Sequence, residues 1–297
     1  MTSVELTRSP GKRGLSAKSL LYWAALALLL AAIFRETWSG LLYQYGRVDS
    51  YYSHGLLIPV ISLFFVWRMR RELRAIPVAP SGLGLALLAF ACFMVLVGDF
   101  LGFRLIGQSV ILLMVAALVL SFLGIAHLRA LWFPIAFLVF MIPIPDSITQ
   151  SLVLQVKLLA TELAVRLAQL VSLPMIRDGS FVIFGNDRLL VGEVCGGLRS
   201  LIALLALGAV VSYVSRAKPW ARWLLFVLSA PVAIAANVTR IFFLCVVGYN
   251  WGSTVAAGRV HDISGVLIYA TAAILLVSAE QVLRKIAPLP AEPEVEK

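Results

Sequence analysis

The chain is poor in charge and poor in the side chains that staple small folds. Of its 297 residues only 13% are charged, against 61% hydrophobic. A soluble domain carries about a quarter charged residues. A water-facing globule is therefore excluded, and bilayer rules apply before soluble-core rules. There are three cysteines and three histidines. Cys92 and Cys245 lie in apolar runs, and neither has a CxxC spacing or a histidine-rich neighbourhood. Zinc sites and disulfide frameworks are disfavoured on that ground, and no metal or organic cofactor is expected. No RNA- or DNA-binding motif accompanies the net charge of +10, so no nucleic-acid partner is expected. In a membrane protein such an excess holds loops on the cytoplasmic side. The first apolar segment lacks a small-residue cleavage site, so it reads as a retained span rather than a removed signal peptide.

What is present is a series of apolar runs. A span needs about 20 mostly apolar residues. Candidates cover roughly 18–36, 55–67, 82–98, 105–126, 130–142, 198–215, 223–248 and 263–282. The fifth stops at Pro143 and Pro145, and the seventh carries Asn237 and Arg240. The expected fold class is therefore all-α integral membrane, with about eight transmembrane helices. An even number of spans puts both termini on one side. Arg68, Arg70, Arg71 and Arg74, together with Arg216, Lys218 and Arg222, then occupy short loops on that same side. The positive-inside rule makes it the cytoplasm. Residues 1–17 are expected to be a cytoplasmic tail, 18–283 one transmembrane domain, and 284–297 a second cytoplasmic tail.

An insert of different character, about 143–197, separates spans five and six and falls outside. Residues 148–172 alternate leucines with Lys157, Glu162, Arg166 and Gln169. Those charges are costly in lipid, so an amphipathic helix at the outer interface, or packed into the bundle, is expected. Residues 176–194 read as a small β-hairpin, with Phe181–Phe184 as β-formers, Gly185-Asn186-Asp187 as the turn and Leu189, Leu190 and Val191 as the return. The hairpin delivers Cys195 to the start of span six.

Cys195 opens the run Cys195-Gly196-Gly197-Leu198-Arg199-Ser200. A free cysteine often packs as a small hydrophobe. At a helix entry, however, the dipole and the unpaired N–H groups favour the thiolate. Gly196 and Gly197 permit a tight entry and close substrate approach, and their N–H groups are candidates for an oxyanion hole. Arg240 lies well inside span seven, so it faces the bundle interior or a wet cavity, or else snorkels to the interface. Asn237, three residues earlier, shares its helix face and is suited to orient Arg240 or bind substrate backbone. His261 stands in a loop at the entry to span eight, on the Cys195 side. Imidazole suits proton transfer near neutral pH. His54, in Tyr51-Tyr52-Ser53-His54-Gly55, is also outside and competes for the role of base or shapes the site.

Together these segments resemble the exosortase/archaeosortase family of multipass membrane cysteine proteases/transpeptidases, over roughly residues 20–283. The likeness rests on Tyr52-Ser53-His54-Gly55, Pro143-Ile144-Pro145, Cys195-Gly196-Gly197-Leu198-Arg199-Ser200, Asn237-Val238-Thr239-Arg240-Ile241, and His261 with Gly265. One departure is Gly196, where the family commonly has serine. The resemblance implies a cysteine, arginine and histidine triad at Cys195, Arg240 and His261. Asn237, Gly196, Gly197, Arg199 and His54 are the expected supporting or substrate-binding positions. It further implies a bacterial inner-membrane enzyme with a periplasmic site. The implied substrates are exported proteins with a tripartite C-terminal sorting signal: a short motif, typically Pro-Glu-Pro, one transmembrane helix and a basic end. A link to exopolysaccharide production is implied as well. Two other classes compete. Arg240 and Asn237 would suit a transporter of an anionic solute, although no inverted repeat is present. A membrane enzyme of exopolysaccharide assembly would need clustered outer carboxylates, whereas Asp49, Asp99, Asp146, Asp178, Asp187 and Asp262 are scattered.

Overall fold

A computed structural model describes residues 25, 28–47, 50–192 and 198–288. It is mostly helical. The described elements run α1 (Arg35–Gly46), α2 (Leu57–Arg68), α3 (Arg70–Ala75), α4 (Gly82–Phe100), α5 (Arg104–Phe122), α6 (Ile125–Ala130) and α7 (Trp132–Phe137). Then come α8 (Asp146–Leu170), β1 (Met175–Asp178), β2 (Phe181–Phe184), β3 (Asp187–Leu190), α9 (Leu198–Val214), α10 (Pro219–Trp251), α11 (Ser253–Ala257) and α12 (Arg259–Ile286).

Four helical stretches among the described residues are long and apolar enough to cross a membrane: Gly82–Phe100, Leu105–Phe122, Pro219–Trp251 and Ile263–Ile286. Three apolar helices are shorter, Leu57–Arg68, Trp132–Met141 and Leu198–Val214. The expected count of about eight spans is not reached among the described residues, which hold four full-length candidates and three shorter apolar helices. Much of the first expected span lies outside the described residues. The fifth run is short for a physical reason. After Phe137 the chain tightens into a 3-10 turn, Leu138–Met141, and then meets Pro143 and Pro145, whose rings cannot continue a helix.

Close helix approach is bought with small residues, as is usual where lipid supplies no hydrophobic drive. A Cβ on Gly208 of α9 would collide with Ser229 of α10, and one on Gly84 of α4 with the backbone of Ser121 on α5. Helix α10 begins with Pro219 at its first position and runs through Pro231. It stops at Gly252, whose φ of 91° lies in the left-handed region that glycine tolerates.

The expected hairpin is present as part of a three-stranded antiparallel meander, β1-β2-β3. Its register pairs Met175 with Phe184 and Phe184 with Asp187. β1 was not expected: Met175-Ile176-Arg177-Asp178 carries no strong alternation, and its pairing with β2 supplies the missing drive. The amphipathic segment is α8, which packs into the bundle against α10. Its buried Ala160, Ala164 and Ala168 share a core with Val182 and Phe184 of the sheet and Ile241 and Cys245 of α10. Glu162 on the other face bonds Arg166 at 2.7 Å and reaches Arg177 of β1 at 2.8 Å. The sheet is therefore held to both α8 and α10, next to the site.

Candidate active site

Arg240 is buried on α10 with 9% exposure. It is the residue whose placement most needs explaining, because a charge at membrane depth costs a few kcal/mol even on the mildest scale. The offset comes from α12. Arg240 Nε donates to Ser264 Oγ at 3.0 Å, and Nη2 donates to the His261 carbonyl at 3.2 Å. Nη2 also lies 3.3 Å from His261 Nε2. Ser264 Oγ in turn donates to the His261 carbonyl at 2.7 Å. Gly265 lies beside this clasp, where a Cβ would make an ordinary contact with Nη2 at 3.6 Å. Of the two placements open from sequence, Arg240 takes the interior one and does not snorkel.

A guanidinium only donates, so Nε2 of His261 can enter this contact only as an acceptor. Two donors are thereby committed to α12, while Nη1 makes no hydrogen bond among the described residues. No carboxylate pairs with Arg240 among the described side chains. Among the described residues, Arg240 thus has no carboxylate partner and a donor nitrogen to spare, beside the His261 imidazole. His261 belongs to the first turn of α12, not to a loop before it. It also lines a cavity of about 230 Å³ with Leu189, Val191, Ile241, Leu244 and Ala257. The cavity wall is thus built by β3, the segment after it, α10 and α11.

Asn237 is buried at 1% exposure, one turn before Arg240. Arg199 lies in the first turn of α9, four residues after Cys195. Arg199 and Arg240 both lie within electrostatic reach of Tyr269 of α12. Arg199 also acts on His54. Both ring nitrogens of His54 are buried without a hydrogen-bond partner among the described residues, and its ring stacks on Tyr52 at 6.1 Å. Burial, with Arg199 second, holds the His54 pKa below the ordinary histidine value. Cys195, Gly196 and Gly197 lie outside the described residues. The described chain on either side of them ends at Gly192, which lines the His261 cavity, and resumes at Leu198.

The model of the transmembrane exosortase family (Exosortase_EpsH) matches residues 38–278. The chain belongs to that family. No curated protein and no solved structure matches it. The family is one of transmembrane cysteine proteases/transpeptidases. The match spans every element from α2 to α11, both sides of the Cys195 segment, and most of α12. Within this exosortase-family chain, sequence reasoning missed Ser264 and Tyr269. Ser264 was legible in principle. It is three residues after His261, hence on one helix face, once α12 is allowed to begin before His261.

A second clasp lies between β3 and α11, near the His261 end of the candidate site. The Asp187 carboxylate accepts from the Ser253 N–H and the Ser253 hydroxyl, each at 2.8 Å. It also accepts from the Arg188 N–H at 2.8 Å. These bonds, the Ser253 backbone first, hold the Asp187 pKa below the usual carboxylate value. They tie the β2–β3 turn to the start of α11, two residues after the end of α10.

Proposed function

We propose that this protein is a membrane-embedded cysteine endopeptidase/transpeptidase acting on C-terminal sorting signals of exported proteins. Residues 18–283 form its one transmembrane domain, in a bacterial inner membrane with both termini cytoplasmic and the site periplasmic. The observation that carries the reading is the clasp of Arg240 and His261, in a chain matched to the exosortase family on both sides of Cys195.

The Cys195 thiol gives its proton to the imidazole of His261, and the resulting thiolate attacks the scissile carbonyl and forms a tetrahedral species. Arg240, with its Nη1 uncommitted, is the donor for the resulting oxyanion, joined by the N–H groups at 196–197. The imidazole of His261 carries the proton to the leaving amine, the C–N bond breaks, and a thioacyl-enzyme remains. Water or an amine then attacks the thioester, gives its proton to the imidazole, and releases Cys195. Ser264 fixes the Arg240 plane, and Asn237 lies on the same α10 face for contact with substrate backbone.

The continuous helix through Asn237 and Arg240 favours this chemistry over a solute site made by interrupted half-helices. The test is Cys195→Ala with a co-expressed substrate carrying a tripartite tail, followed by size. Full loss of processing is expected; processing at the wild-type rate would defeat the assignment.

A further inference from the structure

A second cavity, of about 430 Å³, lies between the end of α1, the loop before α2 and the start of α8. Its lining includes Arg47, Lys157, Gln44, Gln150, Tyr51 and Tyr52, and no described lining residue is acidic. Neither Arg47 nor Lys157 forms an ion pair among the described residues. Thr149, from the first turn of α8, also lines it, so the positive end of a 25-residue helix adds to the same potential. The cavity is rigidly framed. Tyr45 Oη donates to the Met141 carbonyl, and the Ile144 N–H donates to Tyr52 Oη at 2.9 Å.

We propose that this cavity is a carboxylate subsite for the substrate's recognition segment, with Arg47 and Lys157 as its cationic walls. The inference deepens the reading above and rests on it. Two features favour a peptide over a lipid headgroup. Gln44 and Gln150 each offer a donor and an acceptor, which match a peptide backbone. The cavity also borders the loop that carries His54, since Tyr52 in its wall stacks on the His54 ring at 6.1 Å. The recognition segment then lies across Tyr52 and His54 with its acidic side chain in the cavity. A role for Arg47 limited to the C-terminal dipole of α1 would explain its position but not that of Lys157, which is mid-helix.

Binding separates this subsite from catalysis. In a Cys195→Ala background, reconstituted full-length protein is titrated with tail peptides carrying Glu, Gln or Lys in the recognition segment. Protein with Arg47 and Lys157 intact should bind the Glu peptide roughly tenfold more tightly than the Gln peptide. Arg47→Gln/Lys157→Gln should erase that preference, and Arg47→Glu/Lys157→Glu should shift it to the Lys peptide. The charge-reversed pair is a gain of binding, so misfolding cannot imitate it. Undiminished Glu preference in both double variants overturns the subsite. So does a preference that appears only in vesicles containing anionic lipid, which would assign the cavity to a headgroup. Failure of the protease reading shows separately, as processing that survives Cys195→Ala.

Discussion

Ser264→Ala tests the clasp at its smallest part. Ser264 is 2% exposed and bonds both Arg240 Nε and the His261 carbonyl. Alanine removes one hydrogen bond to a charged donor, an interaction of about 1.5–3 kcal/mol, and leaves the helix intact. If that bond holds the guanidinium in the plane needed for the oxyanion, its loss lowers kcat by about ten- to a hundredfold, since about 1.4 kcal/mol is a factor of ten. KM should hardly move, because Ser264 does not touch substrate. Ser264→Thr restores the hydroxyl and should recover most of the rate. The assay is initial processing rate of a tripartite-tail substrate by reconstituted enzyme, with a thermal melt in detergent as the control. Wild-type kcat in Ser264→Ala would refute the reasoning, as would equal losses in Ala and Thr that track the melting temperature.

Gly265→Ala should keep activity within about twofold, because its Cβ meets Nη2 at an ordinary contact distance of 3.6 Å; Gly265→Leu should displace the guanidinium and abolish processing at unchanged expression. The Asp187 clasp has a depressed folded pKa, so its stabilisation is present above the ordinary carboxylate value, about 3.9, and is lost as pH falls below it. Hydrogen exchange of residues 252–257 should rise under those acid conditions, and Asp187→Asn should show the raised exchange already at neutral pH. His54 is also depressed, by burial first and Arg199 second. Its neutral form stabilises the fold above the ordinary histidine value of about 6.5, and that contribution declines as pH falls from there toward the folded value. Titration by NMR should place His54 below that value, and Arg199→Gln should raise it only in part.

The sequence carried the architecture where a physical rule was strict. Lys157, Glu162 and Arg166 among leucines forced an amphipathic helix, and α8 has it, with the alanines inward. Pro143 and Pro145 ended the fifth apolar run, as the fold shows. The count of spans was less legible, because helix length in a bundle depends on neighbours as well as apolar content. Trp132–Met141 and Leu198–Val214 are packed among longer helices and are short of a full crossing. β1 was illegible for a related reason, since Met175–Asp178 becomes a strand through its partner β2. Near the site, Arg240 and Asn237 stood out because polar groups are rare in apolar helices. Ser264 did not, because a serine beside a presumed loop is unremarkable until the helix is seen to start at Arg259. The cationic cavity was hidden altogether, since Arg47 and Lys157 are far apart in the chain and come to one cavity only in the fold.

The central claim is that Cys195 carries the acyl group. Rapid quenching of active enzyme with substrate, followed by mass spectrometry of the Cys195 peptide, tests it directly. The account predicts a hydroxylamine-labile adduct with the mass of the substrate's upstream fragment, absent in Cys195→Ala and sharply reduced in His261→Ala. An adduct on another residue, or steady turnover with Cys195 unmodified at every time point, would contradict it.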